Sequence, residues 1–356
     1  MMTLKNDFNV WSKWDPLKKV MVGHCVAPEY FDHVANIEIK EKLQQLVIEA
    51  QEDLDYIAKV CGEQGVEVVR VNKEKFPKYL DPDQKAQGIQ PVLYPRNRLA
   101  VLGQHLIFSD QHATSDGYFS EIITEDILQR NTPWHDLLIK NNIKCIDPPC
   151  WTLVGKDLFI DIDQWQVNNF VEYNPNSRNI IERWAQKWWP EVDIHWVEIG
   201  GHNDSCFHTV KPGAIISLDD IMTYTETFPG WDVCYLDDSN IGQLPEFMQA
   251  KQKTYGKYWI PGEEDNKELL DFVNSWLDSW LGYVEETVFD VNCMMLNEHT
   301  VLVSSYNKQV FDFFKKHKIE PIICPLRHRF FFDGGIHCVT QDLYREGVCE
   351  SYIDYK

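Results

Sequence analysis

The sequence predicts an α/β protein made of repeated hairpin–helix–strand units within one domain. Three observations lead there. Short apolar runs recur in pairs around turn residues, as in LAVLGQHLIFSD (residues 99–110). Stretches with helical apolar spacing follow such runs. No low-complexity stretch or long Pro/Gly/Ser linker divides the 356 residues, so 1–356 reads as a single domain. Hairpins are antiparallel, which argues against a plain doubly wound sheet. The units differ in length and share no consensus, which argues against a solenoid. A ring of similar ββαβ modules fits this pattern, although periodicity does not establish that the ring closes.

The elements can be justified in order. LKKVMVG (17–23) reads as a strand, residues 37–63 as a helix and VEVVRV (66–71) as a returning strand. LAVLG and HLIFSD form a hairpin about Gly103-Gln104. A helical stretch over 118–130 leads to the strand IKCID (143–147). DLFIDI (157–162) opens the next unit. NSRNIIERWAQKWWP continues it as a helix, with Asn176 or Ser177 as cap and Pro190 as stop, and DIHWVEIG closes it. FHTV-KPG-AIISL (207–218) is a hairpin about a Pro-Gly turn. Residues 266–283 have amphipathic helical spacing. CMML-NEH-TVLVSS (293–305) is a third hairpin, followed by the helix NKQVFDFFKKHK and the strand EPIICPL.

Composition removes several function classes. A net charge of −21 argues against a general nucleic-acid binder, which needs a basic face. The best basic run, KKHK at 315–318, reads as the solvated end of a helix. No segment approaches the roughly 18 apolar residues of a membrane span. The N-terminus lacks the apolar segment of a signal peptide. Ten cysteines are scattered without a C-x-x-C pair, which suggests a reduced compartment and no zinc site. The expected location is the cytoplasm.

Two clusters carry chemistry. In GGHNDSCF (200–207), His202 and Asp204 are two residues apart; continuing the preceding strand would put both on one face. In GGIHC (334–338), Cys338 follows two glycines and His337. Gly-Gly permits close approach of backbone to a substrate. Cysteine, histidine and a carboxylate are the minimal kit for covalent catalysis: thiolate nucleophile, proton carrier, orienting group. Cysteine is also a common packing residue, and many such combinations arise by chance in a chain with ten Cys and twelve His. His337 would alternate away from Cys338 in a strand, so His202 is the expected partner. His208, Cys206, Cys293, Cys324 and the tryptophans of RWAQKWWP and VNSWLDSWLGYV read as core or interface. A homodimer contact through some of the tryptophans is left open.

WDPLKKVMVG (14–23), YPRN (94–97), GKDLF (155–159), GHNDSCF (201–207), KPGAIIS (211–217) and GGIHC (334–338) together resemble the amidinotransferase family. The match runs from about Trp14 to the tail REGVCESYID (345–354). The resemblance implies a pentein fold, a five-bladed α/β propeller of ββαβ modules with pseudo-fivefold symmetry and a central active site. It implies transfer of an amidino group from a guanidino donor to an amine acceptor, with no metal or organic cofactor. It also implies roles. Cys338 would be the nucleophile, His202 the general acid/base, Asp204 a carboxylate on the guanidinium, and Asp147 the support of the histidine. A pentein guanidine hydrolase, similar to arginine deiminase, and a noncatalytic binding homologue are the competing readings.

The sequence departs from that family in three places. Asn97 of Pro95-Arg96-Asn97 stands where the family has a guanidinium-binding Asp, and keeps an acceptor oxygen without the charge. A substrate-carboxylate arginine falls on Ile221 and its helper serine on Glu286. Either a neighbour such as Arg96, Arg98 or Arg329 supplies the charge, or the substrate differs. Glu286 in the pocket would favour a cationic tail, as in agmatine or a diamine, over an amino-acid carboxylate.

Overall fold

The structure is a computed structural model that describes residues 7–75, 93–108, 118–120, 122–123, 150–161, 177–197, 202–218, 224–236, 260, 262–263, 265–273, 275, 290–332 and 334–353. The chain opens with strand β1 (Leu17–Val22), helix α1 (Ile37–Glu63) and strand β2 (Glu67–Arg70). Strands β3 (Leu99–Leu102) and β4 (His105–Phe108) come next, then β5 (Trp151–Val154), β6 (Asp157–Asp161), α2 (Ser177–Trp188) and β7 (Asp193–Val197). A short helix α3 (Asn203–Cys206) leads into β8 (Phe207–Lys211), β9 (Ala214–Leu218), α4 (Tyr224–Thr227) and β10 (Asp232–Leu236). After α5 (Lys267–Phe272) come β11 (Met294–Asn297), β12 (Thr300–Val303), α6 (Lys308–Lys316) and β13 (Glu320–Ile323). Helix α7 (Arg329–Phe332) precedes the last strand, β14 (Thr340–Arg345).

These strands form five small sheets. Three repeat one plan. An antiparallel hairpin is followed by a helix, and the third strand returns parallel to the second: β5-β6-α2-β7, β8-β9-α4-β10 and β11-β12-α6-β13. The described part of the β3-β4 sheet is the hairpin alone. The remaining sheet uses both ends of the chain, with β14 antiparallel to β1 and β2 parallel to it. This is the α/β arrangement of hairpin, helix and parallel strand that the apolar spacing predicts.

Local chemistry fixes these boundaries. Asn36 caps α1 by accepting from the backbone N–H groups of Glu38 and Ile39 at 3.0 and 3.2 Å. Asn307 caps α6 in the same way through Gln309 and Val310 at 2.9 and 3.3 Å. The β5-β6 hairpin turns on Gly155 at φ +64°, a conformation that L side chains resist, and a Cβ there would lie 1.9 Å from the Glu350 carbonyl. The sequence reading opened this unit at Asp157 and missed the partner strand Trp151–Val154. Four fully buried strand residues give no alternation to read.

Apolar clusters fill the space between sheets and helices; the largest joins β1, α1 and β14 to the Cys338 segment. Of the tryptophans in RWAQKWWP, Trp184 and Trp189 are buried as a core reading expects, whereas Trp188 is exposed. Trp184 and Trp189 pack with His105, Trp11 packs on Trp189, and Trp14 packs on Trp231 and Tyr352. The basic run ends α6 at the surface, where Lys316 and His317 meet Asp232 at 2.6 Å. The expected strand at 143–147, most of the helical stretch over 118–130, the later part of 266–283 and the tryptophans of VNSWLDSWLGYV lie outside the described residues. Among the described residues no helix is long and apolar enough to cross a membrane, and no two cysteines form a disulfide.

Candidate active site

Cys338 lies on a turn spanning residues 336–339, directly before β14. The turn is wound tightly enough for Val339 N–H to reach Gly335 O and Thr340 N–H to reach His337 O, each at 3.3 Å. Strand alternation therefore does not apply to His337, contrary to expectation. The residue is 2 % exposed, and its Nδ1 lies 2.8 Å from Asp204 Oδ2. The carboxylate defines the tautomer: Nδ1–H donates, and Nε2 has no hydrogen-bond partner among the described residues. Burial, then the cations of Arg96 and Lys13, hold His337 well below the ordinary histidine range, so the ring is neutral.

Asp204 also departs from the expected local structure. Residues 203–206 form the helical turn α3, with His202 as its N-cap, so His202 and Asp204 do not share a strand face. Asn203 anchors this turn by donating to Cys150 O at 2.9 Å and Phe159 O at 3.4 Å. That fixes Asp204, 2 % exposed, against the Cys338 turn. The Cys338 thiol lies 3.9 Å from Asp204 Oδ2, while Oδ1 is buried without a hydrogen-bond partner among the described residues. His202 is half-buried beside this turn.

Asn292 joins the two segments. Its Nδ2 lies 3.0 Å from Cys338 Sγ and 3.2 Å from Asp204 O, and its Oδ1 accepts from Cys338 N–H at 3.0 Å. An N–H aimed at sulfur favours the thiolate over the thiol. Sequence reading missed Asn292. The available signal was a polar residue inside the apolar run VNCMML, where a buried amide needs partners.

The two glycines before His337 serve the protein's own side chains. A Cβ on Gly334 would stand 2.5 Å from Tyr94 Cε1, and one on Gly335 would stand 2.6 Å from Asn292 Cβ and Oδ1. Close approach is indeed required, but it is Tyr94 and Asn292 that approach.

Arg96 also reaches the turn. Its Nε donates to His337 O at 2.9 Å and Thr340 O at 3.1 Å, and an Nη lies 3.4 Å from Asp342. The guanidinium thus holds the Cys338 turn in place. Burial lowers its pKa, against the pull of Asp342, Asp204 and Cys338. Burial alone would raise Asp342, but Arg345 and Arg96 keep it below the usual carboxylate range. Asn97 sits next to Arg96, half-buried, with its backbone N–H on Tyr94 O.

Two further buried groups complete the cluster. Lys13 is 8 % exposed, and its ammonium has no hydrogen-bond partner among the described residues. Burial pushes its pKa down to about 8, and Asp204 is the strongest force in the other direction. His208, on β8, is fully buried with neither ring nitrogen hydrogen-bonded among the described residues. Its ring stands edge-on to His337, 5.4 Å between centroids. Burial and the nearby Lys13 keep it neutral. The structure therefore brings together Cys338, Asp204, Arg96 and the unexpected His337, Asn292 and Lys13. Asp147, Ile221 and Glu286 lie outside the described residues. Among the described residues no group of three or more His, Cys, Asp and Glu side chains is placed to hold a metal.

No protein-family model matches the chain. Mitochondrial glycine amidinotransferase of Gallus gallus is 22% identical over 402 residues, covering 97% of this chain and 84% of that protein. L-arginine:L-lysine amidinotransferase of Pseudomonas savastanoi pv. phaseolicola is 22% identical over 401 residues, covering 96% of each. Among solved structures, an amidinotransferase of the saxitoxin biosynthetic pathway from Microseira wollei superposes with a TM-score of 0.59 at 18% identity, covering 97% of this chain and 99% of that one. The chain thus has the fold of the amidinotransferases, and its sequence similarity to them extends along nearly its whole length.

Proposed function

We propose that the protein is an amidinotransferase that works through a covalent amidino-cysteine on Cys338. The observation that carries this reading is the thiol of Cys338 3.9 Å from a buried carboxylate with one oxygen still open. A planar guanidinium can give an N–H to Asp204 Oδ1 while its carbon faces the sulfur. The thiolate attacks that carbon, and the bond from carbon to the departing amine breaks. His202, as imidazolium, protonates the amine. The acceptor amine then attacks the amidino carbon, gives its proton to neutral His202, and the carbon–sulfur bond breaks to return the thiolate. Asp147 orients His202. The five sheets stand as blades of a pentein propeller around this site, with the reaction running in a single domain without metal or organic cofactor.

Arginine or agmatine is the donor and a primary amine the acceptor. Glycine is named for one relative and lysine for another. Asn97 and Glu286 favour a donor or acceptor with a cationic tail. Mass spectrometry of products tests this. Arginine or agmatine is supplied alone, then with glycine, lysine or a diamine. Ornithine or putrescine released together with a guanidino-acceptor supports transfer and names the pair. Citrulline or carbamoylputrescine made without an acceptor means hydrolysis instead. No product, and no amidino mass on Cys338, points to a binding homologue.

A further inference from the structure

Buried polar atoms in a folded protein are nearly always hydrogen-bonded, because an unmet group loses its hydration without return. Around Cys338 this rule fails repeatedly. Lys13 Nζ, Asp204 Oδ1, His337 Nε2 and both nitrogens of His208 have no hydrogen-bond partner among the described residues. Their owners are at most 8 % exposed. Of these groups the proposed reaction gives Asp204 a part; Lys13, on the segment Trp11–Asp15 ahead of β1, has none in it.

The charges surrounding the thiol explain what a cation does there. Asp204, on α3, stands 3.9 Å from the sulfur, and a carboxylate at that distance opposes formation of a thiolate. His337 on the turn and His208 on β8 are neutral and do not offset it. Arg96 is divided among the turn carbonyls and Asp342. Arg345, on β14, is fully engaged by Asp342 and the carbonyls of Asp15 and Met295. Cys293, just before β11, is kept as a thiol by burial. Among the described residues Lys13 is the remaining cation that feels this cluster, and Asp204 is the carboxylate that most favours its charge.

We propose that Lys13 is a positioning residue that acts through Asp204, its buried ammonium offsetting the carboxylate so that Cys338 can exist as a thiolate beside it. The inference rests on the reading of Cys338 as nucleophile but needs no guanidino substrate. Its failure is therefore distinguishable from failure of the amidino-transfer reading, which product analysis decides separately.

The test is alkylation of Cys338 by iodoacetamide between pH 5 and 10, followed by peptide mass mapping to separate it from the other cysteines. Thiolate reacts and thiol does not, so the rate reports the thiolate fraction. Lys13→Met should lower the rate at pH 7 roughly tenfold and move the midpoint up by about one pH unit, the ordinary effect of one nearby charge. Lys13→Arg should keep the wild-type rate at pH 7. A purely structural lysine would change the melting temperature and leave this profile in place. An unchanged profile in Lys13→Met, or an Lys13→Arg profile that follows it, overturns the proposal. Should Lys13→Met fail to fold, Lys13→Gln takes its place: the same slower rate is expected, and an unchanged profile overturns the inference.

Discussion

Two buried polar clusters lie side by side in this protein and are built in opposite ways. The first surrounds Arg345. Its Nε donates to Asp342 at 2.9 Å, one Nη to Asp15 O at 2.6 Å and the other to Met295 O at 2.7 Å. Asn9 donates to the carbonyls of Arg345 and Gly347 and accepts from the Trp11 indole. Asp15 accepts from Ser12 N–H, and a Cβ on Gly347 would fall 1.8 Å from its Oδ2. Each of these groups has its partner, and the cluster ties the first strand, the last strand and the tail together. The second cluster, around Asp204, leaves a carboxylate oxygen, an ammonium and three ring nitrogens unmet among the described residues. A satisfied buried network rigidifies a fold, whereas an unsatisfied one invites a ligand or water. The contrast separates architecture from site.

Breaking the satisfied cluster should have the largest effect. Arg345→Met removes the cation that holds Asp342 at 2.9 Å and leaves an Nη of Arg96 at 3.4 Å, and should remove about 3–5 kcal/mol of stability, read from urea denaturation. A loss under about 1 kcal/mol would show that the network contributes little.

Breaking the link between the clusters should act on chemistry more than on stability. Asn292→Ala removes the amide that meets both Cys338 and Asp204. Alkylation of Cys338 at pH 7 should slow roughly tenfold. The accompanying loss of stability should be about 1–3 kcal/mol. An unchanged alkylation rate with the same loss of stability would make Asn292 a packing residue.

The smallest effect should come from the unsatisfied side. His208→Leu removes two unmet nitrogens, so stability at pH 7 should be unchanged or rise by about 1 kcal/mol. The sign of its pH dependence is fixed. Burial holds folded His208 well below its ordinary value of 6.5, so below that pH the unfolded chain binds the extra proton. Wild type therefore loses stability on acidification from pH 6.5, and His208→Leu should lose less. Equal acid sensitivity in melts at pH 5 and pH 7 would mean that His208 is hydrated in the folded protein.

Much of the fold was legible because hairpins and helices are local. Gly103, the Pro-Gly turn at 212–213 and the NEH turn each sit where the structure turns. Cys338 and Asp204 stood out as nucleophile and carboxylate beside glycines, and the structure brings them together across 134 positions. Two local arguments failed. GGIHC and HNDSC were read with the strand period of two, but the first is a hydrogen-bonded turn and the second a helical turn, which sent His337 inward and separated the faces of His202 and Asp204. The Gly-Gly pair was assigned to substrate approach, whereas Tyr94 and Asn292 occupy that space.

The sequence by itself determined the α/β class, the hairpins and the residue types for covalent chemistry. All of these follow from backbone periodicity, turn conformation and side-chain reactivity, which are properties of a residue and its near neighbours. Only the tertiary structure decided what surrounds the thiol. Asn292 comes from 46 positions before Cys338, His337 meets a carboxylate 133 positions earlier, and Lys13 comes from the other end of the chain. Burial and charge at a point in space are sums over whatever the fold delivers there, and no local period encodes that sum.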